Sequence, residues 1–328
     1  MSLDIKHYPV MINEVLSYLE DNKFIADCTF GGGGYSSKIL KKFTNTSVVG
    51  IDRDKHITNH ALDLKKSYPN RFSFHNLKFS QIKKVNRFKE IDYFIFDLGL
   101  SNFQLKNLNR GFSFESIKSL DMTMGLNEFN AYDLIKNISE KDLKNILKFF
   151  GEEKFSSKIA RSIINYRSKK NITSCKELSK IINSIKYRKK NTNPATKSFQ
   201  AIRMIVNQEL SEIYYALKYI LDRCKLGAFI IIITFHSLED TLVKRIFNFY
   251  GKEKTFSRYI PKKNNFDSTS INFVTKKVQK PSNIEISKNP NSRSAKLRVI
   301  KKIKNPIINL NRQDLNMEKY FLLEELYV

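Results

Sequence analysis

The segment DCTFGGGGYS, residues 27–36, decides how this sequence folds. A β-branched and aromatic run beginning at Phe24 enters four consecutive glycines, Gly31 to Gly34, and a helical pattern starts near Tyr35. Glycine lets a chain turn tightly and brings its backbone against a ligand, whose polar groups then meet the free N–H donors of the helix start. The spacing fits neither a dinucleotide GxGxxG fingerprint nor a phosphate P-loop. Gly31, Gly33 and Gly34 make a G-x-G-G variant, and no Gly-Lys-Ser/Thr follows. A tight turn without a ligand is the simpler alternative. Ligands of α/β sheets collect at the carboxyl ends of strands, which favours a small-molecule site here.

Outward from this turn, short apolar runs alternate with helical patterns. Strands are expected over residues 24–30, 48–52, 72–76 and 92–100, and helices over 9–20, 35–43 and 55–66. That alternation predicts parallel β-α-β units and a doubly wound sheet. The next strong strand, AFIIIITFHS at 228–237, comes some 130 residues later, followed by a helix with a capping-box pattern, Ser237 with Asp240. The stretch between carries helix-start signals, Ser139 with Asp142 and Ser174 with Glu177, and a long periodic run over 196–223. An all-helical insertion interrupting an α/β domain accounts for this pattern. The expected division is 1–109, first part of the α/β domain; 110–206, helical insertion; and 207–328, second part with a basic tail. The tail offers strands at 272–277 and 297–303, and residues 251–291 read as a loose basic loop.

Composition narrows the function class. The chain has 328 residues, 41% of them hydrophobic and 12% aromatic, enough for a large packed core. No apolar run approaches the roughly 20 residues of a membrane-spanning helix, and MSLDIKHYPV lacks a signal-peptide core. Cys28, Cys175 and Cys224 are far apart and odd in number, so neither disulfides nor a zinc site are expected. A cytoplasmic protein without a metal follows. The net charge is +26 and concentrated: residues 136–203 hold 18 basic and 5 acidic side chains, and 244–304 hold 17 and 3. The remainder is close to neutral. Two basic surfaces on a neutral body suit a polyanion, although a compositional bias toward Lys is the plainer explanation.

Four further positions carry chemistry. Asp52, ending the second strand in GIDRD, stands about 20 residues after the glycines, where an acid accepts hydrogen bonds from ribose hydroxyls. Dehydrogenases and methyltransferases share that pairing, so it indicates a nucleoside and leaves the reaction open. Asp97 ends the fourth strand in DYFIFDLGLSNFQL. Phe79, after the third strand, offers a flat wall for an adenine ring or a core aromatic. His236, in TFHSLED at the end of the fifth strand, shapes a substrate pocket or serves structure; no G-x-S-x-G elbow accompanies it. His56 and His60, in HITNH, lack the Glu of a zinc protease motif and are expected at the surface.

Taken in order, these stretches resemble the bacterial small-subunit rRNA cytosine-N4-methyltransferases. The likeness runs through HYPVMINEVL (7–16), TFGGGGYS, GIDRD, DLGLSNFQL, RGFSF (110–114), LDMTM (120–124), GEEK (151–154), PATKSFQAIRMIVNQEL (194–210), FHSLED and NSRSAKLR (291–298). The resemblance implies a Rossmann-like methyltransferase sheet dependent on S-adenosylmethionine (AdoMet), with the helical insertion as the RNA-recognition domain. It implies as substrate the exocyclic N4 of the cytidine at nucleotide 1402 of 16S rRNA, in the decoding region of the small ribosomal subunit. The AdoMet contacts it implies are Gly33, Gly34, Tyr35, Asp52, Phe79, Asp97 and Gln104. Asp97 is also the candidate catalytic group, and Arg110 and His236 are candidates for the substrate pocket. Two positions depart from the pattern: Tyr35 stands where His is usual, and Gly125 follows LDMTM where an acid is usual.

Cytidine N4 is a poor nucleophile because its lone pair is delocalised into the ring, so an acceptor holding an N4 proton would aid attack. Asp97 or the carbonyls of residues 98–101 are the expected acceptors. The base must leave its stack to be reached, and Arg188, Lys189 and Lys190 are expected among the RNA contacts. Two alternatives stay open. A methyltransferase acting on DNA or a protein amino group is disfavoured because LGLSNFQ lacks the Pro-Pro-aromatic motif common in the DNA enzymes. A non-catalytic RNA-binding assembly factor is disfavoured by the intact glycines, Asp52 and Asp97; uptake of AdoMet separates the two.

Overall fold

The computed structural model describes residues 9–185, 193–251 and 269–327. Arg188, Lys189 and Lys190, His7, and residues 252–268 of the basic loop lie outside the described residues.

In chain order the elements are α1 (Ile12–Ser17), β1 (Phe24–Asp27), α2 (Gly34–Lys42), β2 (Ser47–Asp52), α3 (Thr58–Ser67), β3 (Phe72–Asn76) and β4 (Tyr93–Asp97). Helices α4 (Asn102–Lys106), α5 (Ala131–Asn137), α6 (Glu140–Phe150), α7 (Ser156–Arg167), α8 (Cys175–Asn183), α9 (Thr196–Asn207) and α10 (Glu209–Arg223) follow. Then come β5 (Phe229–Thr234), α11 (Ser237–Gly251), β6 (Ile271–Phe273), α12 (Asn283–Lys288), β7 (Lys296–Lys302) and α13 (Glu318–Glu325). The chain divides into two compact units, one of Met1–Gly99 with Glu212–Asn316, the other of Leu100–Ser211 with Met317–Val328.

The first unit is an α/β layer structure built on a seven-stranded sheet in the order β3-β2-β1-β4-β5-β7-β6. Strands β1 to β5 run parallel, whereas β7 is antiparallel to β5 and to β6. This is the doubly wound, Rossmann-like sheet that the alternating pattern predicts. Its central strands are buried along nearly their whole length, as YFIFD and FIIIIT require, because helices cover both faces of a parallel sheet. Edge strand β3 is buried only at Phe72 and is otherwise half-buried or exposed. The strand order reverses between β1 and β4, so a crevice opens at their carboxyl ends. Both strands stop earlier than expected, at Asp27 and Asp97.

The second unit is helical among its described residues. Ser139 and Ser174 cap α6 and α8 by accepting the N–H of Asp142 and Glu177, as their spacing predicts. Helix α6 packs on α7 and α9, and α13 packs on α6 and α9. The expected single run over 196–223 is two helices, broken at Gln208, whose φ of 51° is left-handed. Among the described residues no helix is long and apolar enough to cross a membrane.

Candidate functional site

The glycine turn is built around one aromatic ring. Leaving β1, the chain keeps its hydrogen bonds to both neighbours, Cys28 N–H to Ile95 O at 2.8 Å and Phe30 N–H to Ile51 O at 2.9 Å. Phe30 is 2% exposed and packs against Phe72 and Phe74. Its ring fills the space where Gly33 and Gly50 would carry side chains: a Cβ at Gly33 would lie 2.8 Å from Phe30 Cζ, and one at Gly50 would lie 2.7 Å from Phe30 Cδ2. Gly33 also caps α2 at a φ of 75°, a conformation that favours glycine. Phe30 was not a candidate from sequence; Gly50 inside a strand was the available signal, since such a glycine marks close approach by another group.

Asp52 at the end of β2 fixes the turn from the neighbouring strand. Its Oδ2 accepts the Gly31 N–H at 2.7 Å and its Oδ1 accepts the Asp54 N–H at 2.9 Å. Burial pushes its carboxyl up to about 6, against the pull of these two donors. Each oxygen keeps a further lone pair for a ligand hydroxyl.

Asp97, at the end of β4, carries an unsatisfied carboxyl oxygen. Its backbone N–H donates to Thr29 Oγ1 at 2.7 Å, while its Oδ1 is buried and without a hydrogen-bond partner. Burial, then the nearby carboxyls of Asp27 and Glu239, holds it well above the usual carboxylate range. Asp27 is wholly buried; Ser36 Oγ donates to its Oδ2 at 2.7 Å and its Oδ1 has no partner. Tyr35 lies beside Asp97 but belongs to the core: it is 3% exposed and its hydroxyl donates to Val10 O. Tyr in place of the usual His thus ties α2 to the segment before α1. Phe79 meets the Phe96 ring edge-on, centroids 5.8 Å apart, and is half-buried.

At the end of β5 the local capping differs from the expected Ser237–Asp240 pair. Helix α11 starts at Ser237, and the reciprocal bonds fall one residue earlier. His236 Nδ1 accepts the Glu239 N–H at 3.4 Å, while Glu239 Oε2 accepts the N–H of Phe235 at 3.0 Å and of His236 at 3.4 Å. His236 is thus engaged with its own helix start through Nδ1, while its buried Nε2, 3.0 Å from Glu239 Oε1, makes no hydrogen bond. Asp240 turns instead to β7, pairing with Lys296 at 3.0 Å and Arg298 at 2.8 Å. The stretches FHSLED and NSRSAKLR therefore meet through an ion-pair triad.

Gln104 and Arg110 belong to the second unit. Gln104 completes a capping box with Ser101 at the start of α4, its Oε1 accepting the Ser101 N–H at 3.0 Å. Arg110 is 7% exposed, donates to Thr123 O at 2.9 Å and lies over the Phe112 ring. LDMTM is held by the wholly buried Asn207 of PATKSFQAIRMIVNQEL. Asn207 Oδ1 accepts the Met124 N–H at 2.7 Å, and its Nδ2 donates to Met122 O at 2.8 Å. Gly125 has a φ of 113°, which a side-chain-bearing residue rarely adopts.

In the first unit, then, the sheet brings together a glycine turn at a helix start, a strand-end acid able to accept hydroxyls, and two buried carboxyls with unpartnered oxygens. Such a crevice fits a nucleoside that carries positive charge near β4.

Known proteins agree in kind. A Ribosomal RNA small subunit methyltransferase H from Ehrlichia canis is 43% identical over 305 residues, covering 90% of this chain and 100% of that protein. Proteins of the same name from Orientia tsutsugamushi and Persephonella marina are 38% and 39% identical, over 90% and 91% of this chain and 98% and 100% of theirs. A solved rRNA methylase from Streptococcus thermophilus aligns over 89% of this chain and 94% of its own with a TM-score of 0.40 and 9% identity, too slight a likeness to argue from. The family model described as the MraW methylase family matches residues 4–303, and the chain belongs to that family.

Proposed function

We propose that this chain transfers a methyl group from AdoMet to the exocyclic N4 of the cytidine at nucleotide 1402 of 16S rRNA, within the small ribosomal subunit. The observation that carries the reading is the buried, unpartnered Oδ1 of Asp97, whose backbone N–H bonds Thr29 of the glycine turn, in a chain whose family is a methylase family. The names of the relatives supply the substrate class, small-subunit rRNA; the cytidine and its N4 come from the motif resemblance.

When bound, AdoMet supplies an already activated sulfonium methyl. The work left to the protein is alignment and exclusion of water. Gly33 and Gly34 present the helix start of α2 to the ligand, with the backbone of Tyr35 beside them. Asp52, which holds the Gly31 N–H, would accept the ribose hydroxyls, so that one side chain would fix both ligand and turn. Phe79 would offer its ring to the adenine. Asp97 would assist transfer: its free oxygen would accept a hydrogen bond from N4, tilting the amino lone pair toward the methyl, and would take the proton that N4 sheds as the N–C bond forms and the S–C bond breaks. The motif resemblance adds Gln104 to the candidate cofactor contacts and Arg110 and His236 to the candidate base contacts. The helical unit and the basic residues of 136–203 and 244–304 hold the RNA, and the target base is unstacked to enter.

The test is transfer of labelled methyl from AdoMet to small subunits lacking the modification, with nucleoside analysis of the rRNA. N4-methylcytidine at position 1402 is the expected product. Label in DNA or protein, or RNA binding with no uptake of AdoMet, would overturn the proposal.

A further inference from the structure

The crevice of the first unit contains more buried carboxyls than its donors satisfy. Asp27 on β1 and Asp97 on the adjacent β4 each carry a buried Oδ1 with no hydrogen-bond partner. The groups acting on Asp97 are Asp27 from β1, Glu239 from α11, Tyr35 from α2 and Glu285 from α12. Those around Asp27 are Ser36 and Tyr35 from α2, Thr29 and Cys28 from the turn, and Asp52 from β2. None of them is a cation. Arg53 acts on Asp52, and His236 stands against Glu239. A carboxylate buried among carboxylates lowers its free energy either by keeping a proton or by meeting a positive charge. Burial accordingly pushes Asp27 up to about 6 and holds Asp97 well above the usual carboxylate range.

We propose that Asp27 and Asp97 form a proton-holding pair that ionises when a sulfonium enters the crevice, which makes Asp27 a specificity-determining residue that separates the cationic methyl donor from its neutral thioether product. The inference rests on the AdoMet reading above and adds to it a charge-exchange step. AdoMet and S-adenosylhomocysteine differ by a methyl group and one positive charge. Entry of the sulfonium places that charge near the pair, and a proton leaves to solvent, so the net charge of the site is conserved. Loss of the methyl cation to the acceptor removes the charge, the pair takes a proton back, and the product is left without its electrostatic partner. Asp27 acts here through its field on the pair and the ligand, its own Oδ2 being held by Ser36.

The experiment is calorimetric titration of the full chain with AdoMet and, separately, with S-adenosylhomocysteine, in buffers of different ionisation enthalpy between about pH 5.5 and 7.5, where such groups exchange protons. AdoMet is expected to release about half to one proton more than the product does. Its affinity advantage over the product should widen as pH rises. Asp27→Asn, which keeps an acceptor for Ser36, should abolish most of the differential proton release and narrow the affinity ratio by about tenfold, the scale of one unit charge acting through a partly polar interior. Equal proton release for the two ligands in the unaltered chain overturns the pair while leaving AdoMet binding intact. Failure of both ligands to bind overturns the cofactor reading and the pair together. The count on the unaltered chain decides the matter even where the variant is poorly folded.

Discussion

Gly33→Ala isolates what the glycine turn requires. Gly33 has a φ of 75°, and a left-handed backbone costs a side-chain-bearing residue roughly 1–2 kcal/mol. The added methyl would also stand 2.8 Å from Phe30 Cζ and 3.0 Å from Cε2. The ring has little freedom to retreat, because Phe72 and Phe74 lie at centroid distances of 5.5 and 5.3 Å and Gly50 closes the other side. Overpacking of this kind costs about 1–3 kcal/mol. The expected total is about 2–5 kcal/mol in urea denaturation. Because the turn is anchored by the Gly31–Asp52 bond, AdoMet affinity measured by calorimetry should fall by about tenfold or more, one factor of ten for each 1.4 kcal/mol that reaches the bound state. Adding Phe30→Leu should restore the packing share and leave the backbone share, so the two substitutions couple. A Gly33→Ala protein with unchanged denaturation midpoint and affinity, or with effects simply additive to Phe30→Leu, would refute the account of the turn.

Other consequences are equally measurable. Asp97→Asn should lower methyl transfer by about 100-fold, a usual proton-transfer contribution, yet leave stability equal or higher, since a buried acid among acids is lost; transfer at the normal rate would remove Asp97 from the chemistry. In the second unit Glu324 is wholly buried and accepts the N–H of Leu210 at 3.0 Å and both the N–H and hydroxyl of Ser211, at 2.8 and 2.6 Å. Burial pushes its carboxyl from 4.5 up to about 8, so its contribution is complete below the lower value and disappears as pH rises through the upper one. The unfolding free energy from urea denaturation should therefore fall between those limits, by on the order of 5 kcal/mol in this unit, and Glu324→Gln should flatten the profile; parallel profiles would contradict it. Asn207→Ala leaves the Met124 N–H and Met122 carbonyl unpaired and should cost about 2–4 kcal/mol, with limited proteolysis at 120–127 as the readout; unchanged resistance there would show that the loop does not depend on Asn207.

What could be read from the sequence follows from how local each cause is. The runs of β1, β2, β4 and β5 are legible because both faces of a central parallel strand are buried, so the apolar stretch itself marks the strand. Serine caps at 139 and 174 are legible because donor and acceptor are three residues apart. The break at Gln208 is not, since the helical period continues across it. Asn207 and Glu324 impose the break from contacts up to 114 residues distant in sequence, with no glycine or proline to announce it. Likewise, Ser237–Asp240 and His236–Glu239 are neighbouring registers of one cap. Asp240 is drawn away by Lys296 and Arg298, some 56 and 58 residues on, and only the folded sheet decides between them. At the site, Asp52 and Asp97 declare themselves as strand ends. The burial of Asp27 and the approach of Glu239 do not, because both depend on which helices cover those ends.

The same distinction explains how a chain of net charge +26 could hold the proposed cationic ligand. Solvated lysines act over a Debye length of about 8–10 Å and weaken with salt, whereas Asp27 and Asp97 act inside the protein, where screening is slight, so the local sign at the crevice is independent of the global one. Nor is every base of the second basic segment available to a polyanion. Lys296 and Arg298 are committed to Asp240, and Lys302 is 1% exposed with its Nζ donating to Cys224 O at 2.8 Å. Each phosphate contact contributes roughly 0.7–0.9 to the slope of log affinity against log salt. The slope of a salt titration of RNA binding should therefore be unmoved by Lys302→Met or by Lys296→Met once folding is controlled. A slope that fell by about 0.7–0.9 in either variant would mean that the side chain leaves its folded partner to meet RNA, and for Lys296 the ion-pair triad joining β7 to α11 would then have to open on binding.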